Sequence, residues 1–364
     1  MARLGAHSRV RGAGVSAGPR RRPKDRDFVE TAEGFFFCLV GYLHPPDRYT
    51  AYLKYTPAES GRWARGDVCY RREVPYYHVQ NVMRTLEFLE REHPRYVWVD
   101  RVQGLRFSFV PRDAVRRYYL PEARLAGILA SPADALEQDV AALVTLLISA
   151  AGIPVRSFGI TGSVLLGIHD PTFSDIDLLV YGGQPAERVK RAILRLAGDG
   201  LRELDPGRRD RWRAETAERF GLAPDELTYL DGRRWHYFRF RDRYVSVHAT
   251  RADREIREAH GERRYRPLGP ATVEATIADA SESLFLPAVY KLAEAHADDG
   301  TPIPVSEIVS YEGLFCDFAD AGDRVRARGA LEEVSDGSLR LVVGTAALAD
   351  GGALSRVTSP PSRC

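Results

Sequence analysis

The sequence predicts an α+β protein with a central domain on a mixed sheet, an N-terminal α+β module and a small C-terminal β domain. Three observations lead to this architecture. Residues 27–120 contain several strand-like aromatic stretches around one segment with helical spacing. Residues 121–181 have the pattern of helices, a strand, a glycine turn, a short helix and a second strand. From residue 267 onward, short strand-like runs are separated by glycine, aspartate and proline.

Length and composition are those of an ordinary globular protein. A chain of 364 residues holds two or three domains. No apolar run is long enough to cross a bilayer or to act as a secretory signal, so no membrane partner is expected. The cysteines have no paired spacing that would predict zinc or disulfide chemistry, and we expect free thiols in the cytoplasm. They are Cys38, Cys69, Cys316 and Cys364.

Positive charge is concentrated at the N-terminus. Residues 1–26 contain eight Lys or Arg and one acid, so the rest of the chain is net negative although the total is +2. We expect a disordered basic tail here, which could steer the protein towards nucleic acid. An upstream start codon that is not used in the native protein is an equal alternative. Because 48 of the 52 basic residues are arginine, a GC-rich genome explains the arginine bias without RNA binding.

Residues 27–120 form the predicted N-terminal module. Segment 34–42 is strongly apolar and segment 48–55 alternates, and a Pro-Pro turn between them predicts a β-hairpin. Segment 76–92 has helical spacing, and two further strands follow at 96–100 and 105–110. The many aromatic side chains of this module could stack nucleobases, but core packing is the interpretation we favour.

The central domain is predicted to cover residues 121–262. Ser131 is the expected N-cap of a long apolar helix over 136–151, and Gly152 ends that helix. A strand at 155–160 then leads into a glycine turn. Beyond the second strand, amphipathic segments predict helices at 185–196 and 208–220.

The candidate functional residues lie in this turn and at the start of the strand that follows it. Gly162 and Ser163 stand at the start of a short helix, where free N–H groups favour a phosphate. Asp175 and Asp177 alternate at the start of the next strand, so their carboxylates leave the same face. Two adjacent carboxylates repel each other unless a cation separates them, and Mg²⁺ takes carboxylate and phosphate oxygens. The pattern therefore predicts a site for a metal-bound nucleoside triphosphate.

Gly162-Ser163, eleven further residues and Asp175-Ile176-Asp177 resemble the core motif of the DNA polymerase beta-like nucleotidyltransferase superfamily. That superfamily includes CCA-adding enzymes, poly(A) polymerases, aminoglycoside nucleotidyltransferases and small toxin–antitoxin enzymes. The Ser-Asp-Ile-Asp run is most similar to archaeal CCA-adding enzymes, and the whole chain resembles archaeal predicted nucleotidyltransferases. The resemblance implies ATP or another NTP as substrate, with two Mg²⁺ ions on Asp175 and Asp177 as catalytic ligands. It also implies that Gly162 and Ser163 hold the β- and γ-phosphates.

The superfamily uses a third carboxylate on a later strand, and this sequence departs from that pattern. The best-matching strand presents Ser246 and His248 on one face, where the acid is expected. His248 could act as the catalytic base because its ordinary pKa is near neutrality, or it could be structural. Asp279 or Glu282 could instead bring an acid from the C-terminal domain. The sequence leaves these alternatives open.

Two further regions carry possible nucleic-acid signals. In a predicted hairpin over 233–249, arginines alternate with aromatic residues, which suits phosphate and base contacts but is equally typical of a two-faced strand. The C-terminal β domain is predicted over 263–345. Its segment 323–329 resembles a strand of OB-like barrels, which often bind oligonucleotides. Residues 346–364 are expected to be a disordered tail.

The sequence thus predicts an Mg²⁺-dependent transfer of a nucleoside monophosphate from an NTP to a hydroxyl. RNA, a small molecule and a protein side chain all remain candidate acceptors. The alternative is a nucleotide- or RNA-binding protein that has lost catalysis together with the third acid. The sequence does not define the nucleotide or the oligomeric state.

Overall fold

The structure is a computed structural model that describes residues 21–74, 79–345, 348 and 352–357, with the backbone alone at 79 and 80. Its described residues form three sheets and several helices, so the chain is mixed α and β. Residues 1–20 of the predicted basic tail 1–26, and residues 76–78 at the start of the predicted helix, lie outside the described residues.

The N-terminal module is built on a sheet of eight strands. Its order is β4-β5-β3-β2-β1-β8, and β7 joins β3 to β6. The predicted aromatic residues pack on both faces of this sheet, in two clusters of buried side chains, as core packing requires. The elements are β1 Phe28–Thr31, β2 Phe36–Leu39, β3 Arg48–Ala58, β4 Trp63–Arg65, β5 Val68–Arg72, α1 Val79–Glu92, β6 Val97–Asp100, β7 Leu105–Pro111 and β8 Val115–Tyr119.

The central domain has a five-stranded sheet in the order β11-β12-β13-β10-β9. Strands β10 and β13 are parallel neighbours, whereas the other pairs are antiparallel, so the sheet is mixed as predicted. Helices α3 and α5 bury apolar residues against it. The elements are α2 Pro121–Ala130, α3 Ala135–Ala151, β9 Phe158–Ile160, α4 Gly162–Leu166, β10 Ile176–Tyr181, α5 Gly183–Leu196, β11 Leu201–Arg202, α6 Pro206–Phe220, α7 Pro224–Gly232, β12 Tyr237–Phe240 and β13 Arg243–Thr250.

The C-terminal domain is a small closed barrel. Its strands pair in the order β14-β15-β16-β18-β17, and β17 pairs back to β14 to close the ring. Only β16 and β18 are parallel among these barrel pairs. The OB-like assignment stays a prediction. The strands are β14 Tyr265–Glu282, β15 Ala288–Ala297, β16 Val305–Ser310, β17 Arg324–Val334, β18 Leu339–Val343 and β19 Ala353–Arg356.

A buried carboxylate joins the barrel to the central domain. Asp317 accepts hydrogen bonds from Lys190 Nζ at 2.9 Å, Arg233 Nη2 at 3.2 Å and Trp235 Nε1 at 2.7 Å. Three donors compensate for the loss of water around this carboxylate. The arrangement fixes the hairpin that contains β12 and β13 against the barrel.

Residues 21–26 and 353–356 are more ordered than the sequence suggests. Residues 21–26, assigned to the basic tail, pack against the body, because Arg21 donates to both Asp27 and Glu122. At the other end, β19 pairs with β17 although residues 346–364 were expected to be disordered. In each case an ion pair or a strand pairing far along the chain orders a segment that has no apolar period of its own.

The cap of helix α3 also differs from the prediction. Ser131 instead follows α2, and the N-cap is Asp134, whose side chain accepts from the N–H of Glu137 at 2.9 Å. Aspartate and serine cap helices about equally well, so local sequence does not choose between them. Of the helices described, none is both long and apolar enough to cross a membrane. Cys38, Cys69 and Cys316 are free thiols.

Candidate active site

The two predicted carboxylates lie at the N-terminal end of β10, an interior strand of the central sheet. Asp175 directly precedes the strand and Asp177 is its second residue, while Ile176 between them is buried in the core. Because alternate residues of a strand point to opposite faces, both carboxylates point away from that core. Asp177 is half-buried and the Asp175 side chain is 45% exposed. The predicted pair is thus accessible from one side of the sheet.

Gly162 brings the glycine turn into contact with this pair. The Thr161 N–H donates to the Asp177 carbonyl at 2.9 Å, which ties the turn to β10. Gly162 has φ +67°, and a Cβ on it would lie 2.5 Å from Asp177 Oδ2. Only glycine meets both conditions, because other residues disfavour positive φ and a methyl group would overlap the carboxylate. The turn and the carboxylates therefore form one site.

Ser163 lies beside this turn with its side chain largely buried, and no described residue is hydrogen-bonded to its hydroxyl. Helix α4 is only five residues long, so its dipole adds little. What the turn can offer a phosphate is the close approach of the backbone at Gly162 and the hydroxyl of Ser163.

Ser246 lies beside Asp177, on the strand where the resemblance implies a third acid. Strand β13 runs parallel to β10 in a register that sets Ser246 beside Asp177. The Ser246 hydroxyl donates to Asp177 Oδ1, and His248 Nε2 lies 2.9 Å from Ser246 Oγ. A hydroxyl has one proton, so when it donates to Asp177 the contact with His248 requires a proton on Nε2. His248 thus reaches the carboxylates only through Ser246.

Burial keeps His248 neutral. It lowers the pKa of the imidazole well below its usual value, and the charge of Arg26 and the nearby His236 act in the same direction. A neutral imidazole with its proton on Nε2 can orient the Ser246 hydroxyl towards Asp177.

The two alternative acids are engaged elsewhere. Asp279 accepts from the N–H of Ser281 at 2.8 Å, and Glu282 forms an ion pair with Arg251. Across the part of the chain that the structure describes, no set of three His, Cys, Asp or Glu ligand atoms within 4.8 Å of one another includes Asp175 or Asp177. The acid that the resemblance implies is therefore not found among the described residues.

One set of three such ligand atoms does occur in the described residues, at Asp134, Glu137 and His169. Asp134 caps α3 and contacts His169 Nε2 at 2.8 Å, while Glu137 pairs with Arg124. These contacts account for the cluster as the N-terminal cap of a helix.

Arginine charges act on the carboxylate pair. Arg208 Nη2 is 3.9 Å from Asp175 Oδ2, and its guanidinium lies over the Tyr244 ring at 3.5 Å. Burial, and then the charge of Asp177, raise the pKa of Asp175 from 3.8 to about 6, although Arg208 and Arg72 act in the opposite direction. The pair therefore carries an excess of negative charge that a bound cation would relieve.

The N-terminal module places two basic side chains near this site, Lys54 and Arg72, which no local sequence pattern predicted. Lys54 on β3 is buried, and burial lowers the pKa of its amine well below the usual value. Its Nζ donates to the Val74 carbonyl at 2.9 Å, and Arg72 on the neighbouring strand donates to the same carbonyl at 3.1 Å. A lysine inside a mostly buried strand was the available signal, but Asp177, whose charge acts on it, lies more than 100 residues away.

The arginine-aromatic hairpin has a structural explanation. Arg233 pairs with Asp317 and Asp320, and Arg241 pairs with Asp139. Arg234 stacks on Trp212 at 3.9 Å. These intramolecular contacts leave little of the hairpin's charge for a nucleic acid, so the two-faced strand is the better interpretation.

Comparisons with known proteins agree with this site. Residues 148–263 match a family model described as a nucleotidyltransferase domain. The matched residues include the turn, both aspartates and β13. The chain is also similar to an uncharacterized protein of Methanocaldococcus jannaschii, at 29% identity over 332 residues, which cover 88% of this chain and 95% of the relative. No solved structure matches the chain. The resemblance seen in the sequence is thereby confirmed.

Proposed function

We propose that this chain, which carries a nucleotidyltransferase domain over residues 148–263, transfers a nucleoside monophosphate from an NTP to a hydroxyl and releases pyrophosphate. The observation that carries the proposal is the contact between Gly162 and Asp177. A Cβ at position 162 would lie 2.5 Å from Asp177 Oδ2, so a phosphate held by the turn would meet the carboxylates. Phosphoryl chemistry depends mainly on such positioning and on charge stabilisation.

Asp175 and Asp177 fit Mg²⁺ by their chemistry. Both offer carboxylate oxygens, the ligands that Mg²⁺ prefers, and the raised pKa of Asp175 reflects burial and the charge of Asp177, which a cation would offset. Bound there, Mg²⁺ would supply charge stabilisation for the attacking and leaving oxygens. Because no third carboxylate lies with them among the described residues, Asp175 and Asp177 would be the protein ligands that hold the metal.

The chain's own groups have separate roles in this proposal. Gly162 and Ser163 hold the β- and γ-phosphates through the backbone and the hydroxyl. Arg208, 3.9 Å from Asp175 without ligand, turns to a phosphate oxygen when the triphosphate binds. His248 acts as a positioning residue, because its Nε2 donates to Ser246 while Ser246 donates to Asp177.

The position of Ser246 also supports a second candidate, a nucleotide-binding protein without turnover. Its core would bind Mg·NTP at Asp175 and Asp177 but would lack the acid that helps to deprotonate the acceptor. RNA binding without turnover belongs to the same alternative.

Incubation with α-labelled NTPs distinguishes these functions. The acceptors offered are total RNA, small hydroxyl compounds and candidate proteins. We expect Mg²⁺-dependent transfer of label that is lost in Asp177→Asn and kept in the control Asp242→Asn, whose side chain is 92% exposed in the β12–β13 turn. Binding of Mg·NTP without transfer would favour the second candidate, and neither binding nor transfer would overturn both.

A further inference from the structure

A cleft lies on the N-terminal module, next to the segment that leads to Asp175. It has a volume of about 420 Å³, within the range of small-molecule sites, and opens to solvent. We call it the arginine cleft. Its lining comes from β4, β5 and the turn before β4, and consists of Ser60, Gly61, Arg62, Trp63, Tyr70, Arg71 and Arg72.

The arginine cleft has three guanidinium groups and no acid in its lining. Arg71 is paired with Glu73 at 2.9 Å. Among the described residues, Arg62 and Arg72 make no ion pair with a carboxylate, and Arg72 is hydrogen-bonded only to the Val74 carbonyl. Two guanidiniums are therefore available to an anion, and their planar donor groups match the oxygens of a phosphate.

Aromatic rings fix this cleft to the segment that leads to Asp175. The Arg62 guanidinium lies over the Phe173 ring at 3.8 Å, and Trp63 meets the same ring edge-on at 6.0 Å. The Ala64 N–H donates to the Ile168 carbonyl at 3.2 Å. Phe173 is two residues from Asp175, and the charge of Arg72 acts on the Asp175 carboxylate. A ligand in the cleft would thus lie next to the proposed reaction centre.

We propose that the arginine cleft binds one nucleotide of a single-stranded nucleic-acid acceptor, with a phosphate on Arg62 and Arg72 and the base against Trp63. This inference rests on the proposed transferase function, because it supplies the acceptor for that reaction. Guanidinium groups beside an aromatic ring are the chemistry of single-strand binding sites. The triphosphate contacts proposed above are at Gly162 and Ser163, which are not among the residues that line the cleft.

The test uses the full chain and a fluorescently labelled hexaribonucleotide of mixed sequence, followed by anisotropy at several salt concentrations. Arg62→Ala is expected to weaken binding about tenfold and to reduce the slope of log affinity against log salt by about 0.7, the value for one lost phosphate contact on a single strand. Trp63→Phe keeps a ring and should weaken binding less than Arg62→Ala. The matched control is Arg101→Ala, an exposed arginine of the same module on the β6–β7 turn, which should bind as wild type does.

Circular dichroism and thermal unfolding of each variant exclude a folding defect. If wild type does not bind the hexaribonucleotide, or if Arg62→Ala binds it with unchanged affinity and salt slope, the acceptor site is wrong. Inorganic phosphate that binds the cleft while the hexaribonucleotide does not would also overturn it. The proposed transferase function is decided separately, by the response of wild type to Mg·NTP.

Discussion

Replacing Asp175 with asparagine tests whether the carboxylate pair exists to bind a cation. Asparagine keeps the shape and removes one charge. Burial, followed by the charge of Asp177, raises the pKa of Asp175 from 3.8 to about 6 in the folded protein. The native state therefore holds this proton more tightly than the unfolded chain, so the free energy of unfolding falls as pH rises through this interval. Above about pH 6 the ionised Asp175 destabilises the fold, and Asp175→Asn removes that cost.

The expected gain in the free energy of unfolding follows from the pKa shift of Asp175 and from the exposure of its side chain. A shift of this size corresponds to about 3 kcal/mol in the absence of screening. Because the Asp175 side chain is 45% exposed, water screens much of this energy, and we expect a gain of about 1 kcal/mol at neutral pH. The gain should shrink as pH falls towards about 4.

The assay is thermal unfolding with and without Mg·NTP. Without ligand, Asp175→Asn should melt about 2 °C above wild type at neutral pH. Ligand at about a hundred times its dissociation constant should stabilise wild type by about 2.7 kcal/mol and the variant hardly at all. Asp242→Asn, the exposed control, should change neither result. An Asp175→Asn protein that is less stable than wild type without ligand, or that is still stabilised by Mg·NTP, would show that the carboxylate pair does not exist to bind a cation.

Three further substitutions test the contacts made by Gly162, Ser246 and Asp317. Gly162→Ala should lower the free energy of unfolding by at least about 1 kcal/mol in urea unfolding, because the backbone has a positive φ there. The added methyl group would also overlap Asp177, so calorimetry should detect no Mg·NTP binding. Ser246→Ala should cost about 1–2 kcal/mol in urea unfolding, since it removes a hydrogen bond to a carboxylate and leaves His248 Nε2 without its acceptor. Asp317→Ala should cost about 3 kcal/mol, because a lysine, an arginine and a tryptophan lose a buried acceptor.

For each of these substitutions, one outcome would contradict the role assigned to the residue. Full-strength Mg·NTP binding by the Gly162 variant would show that the turn does not approach the phosphates. An unchanged free energy of unfolding for the Ser246 variant would mean that the hydroxyl does not hold Asp177. For Asp317, wild-type stability would mean that the joint to the barrel does not depend on this carboxylate.

The core of the site could be predicted because it is local in sequence. Gly162 and Asp177 lie only 15 residues apart on one strand–turn–helix–strand unit, so spacing and turn chemistry bring them together. The apolar periods likewise predict most strands and helices, since burial of one face sets those periods.

The rest of the site depends on packing between distant segments. The charge of Arg72 acts on Asp175, and that of Asp177 acts on Lys54, because the N-terminal module packs near the central site, and no local pattern encodes that packing. The sequence identified the departure at Ser246 and His248, but not the hydrogen-bond chain that links them to Asp177. That chain requires the parallel register of β10 and β13, which is set by the whole sheet.

The most direct test of the central claim follows both labels of one NTP in a single reaction with the acceptor that gives transfer. We expect an α-phosphate label to move to the acceptor while a γ-phosphate label leaves as pyrophosphate, in equal amounts and only with Mg²⁺ present. Asp177→Asn should abolish both signals. Transfer of the γ label to the acceptor, or its release as inorganic phosphate while the α label stays on free nucleotide, would contradict nucleotidyl transfer at this site.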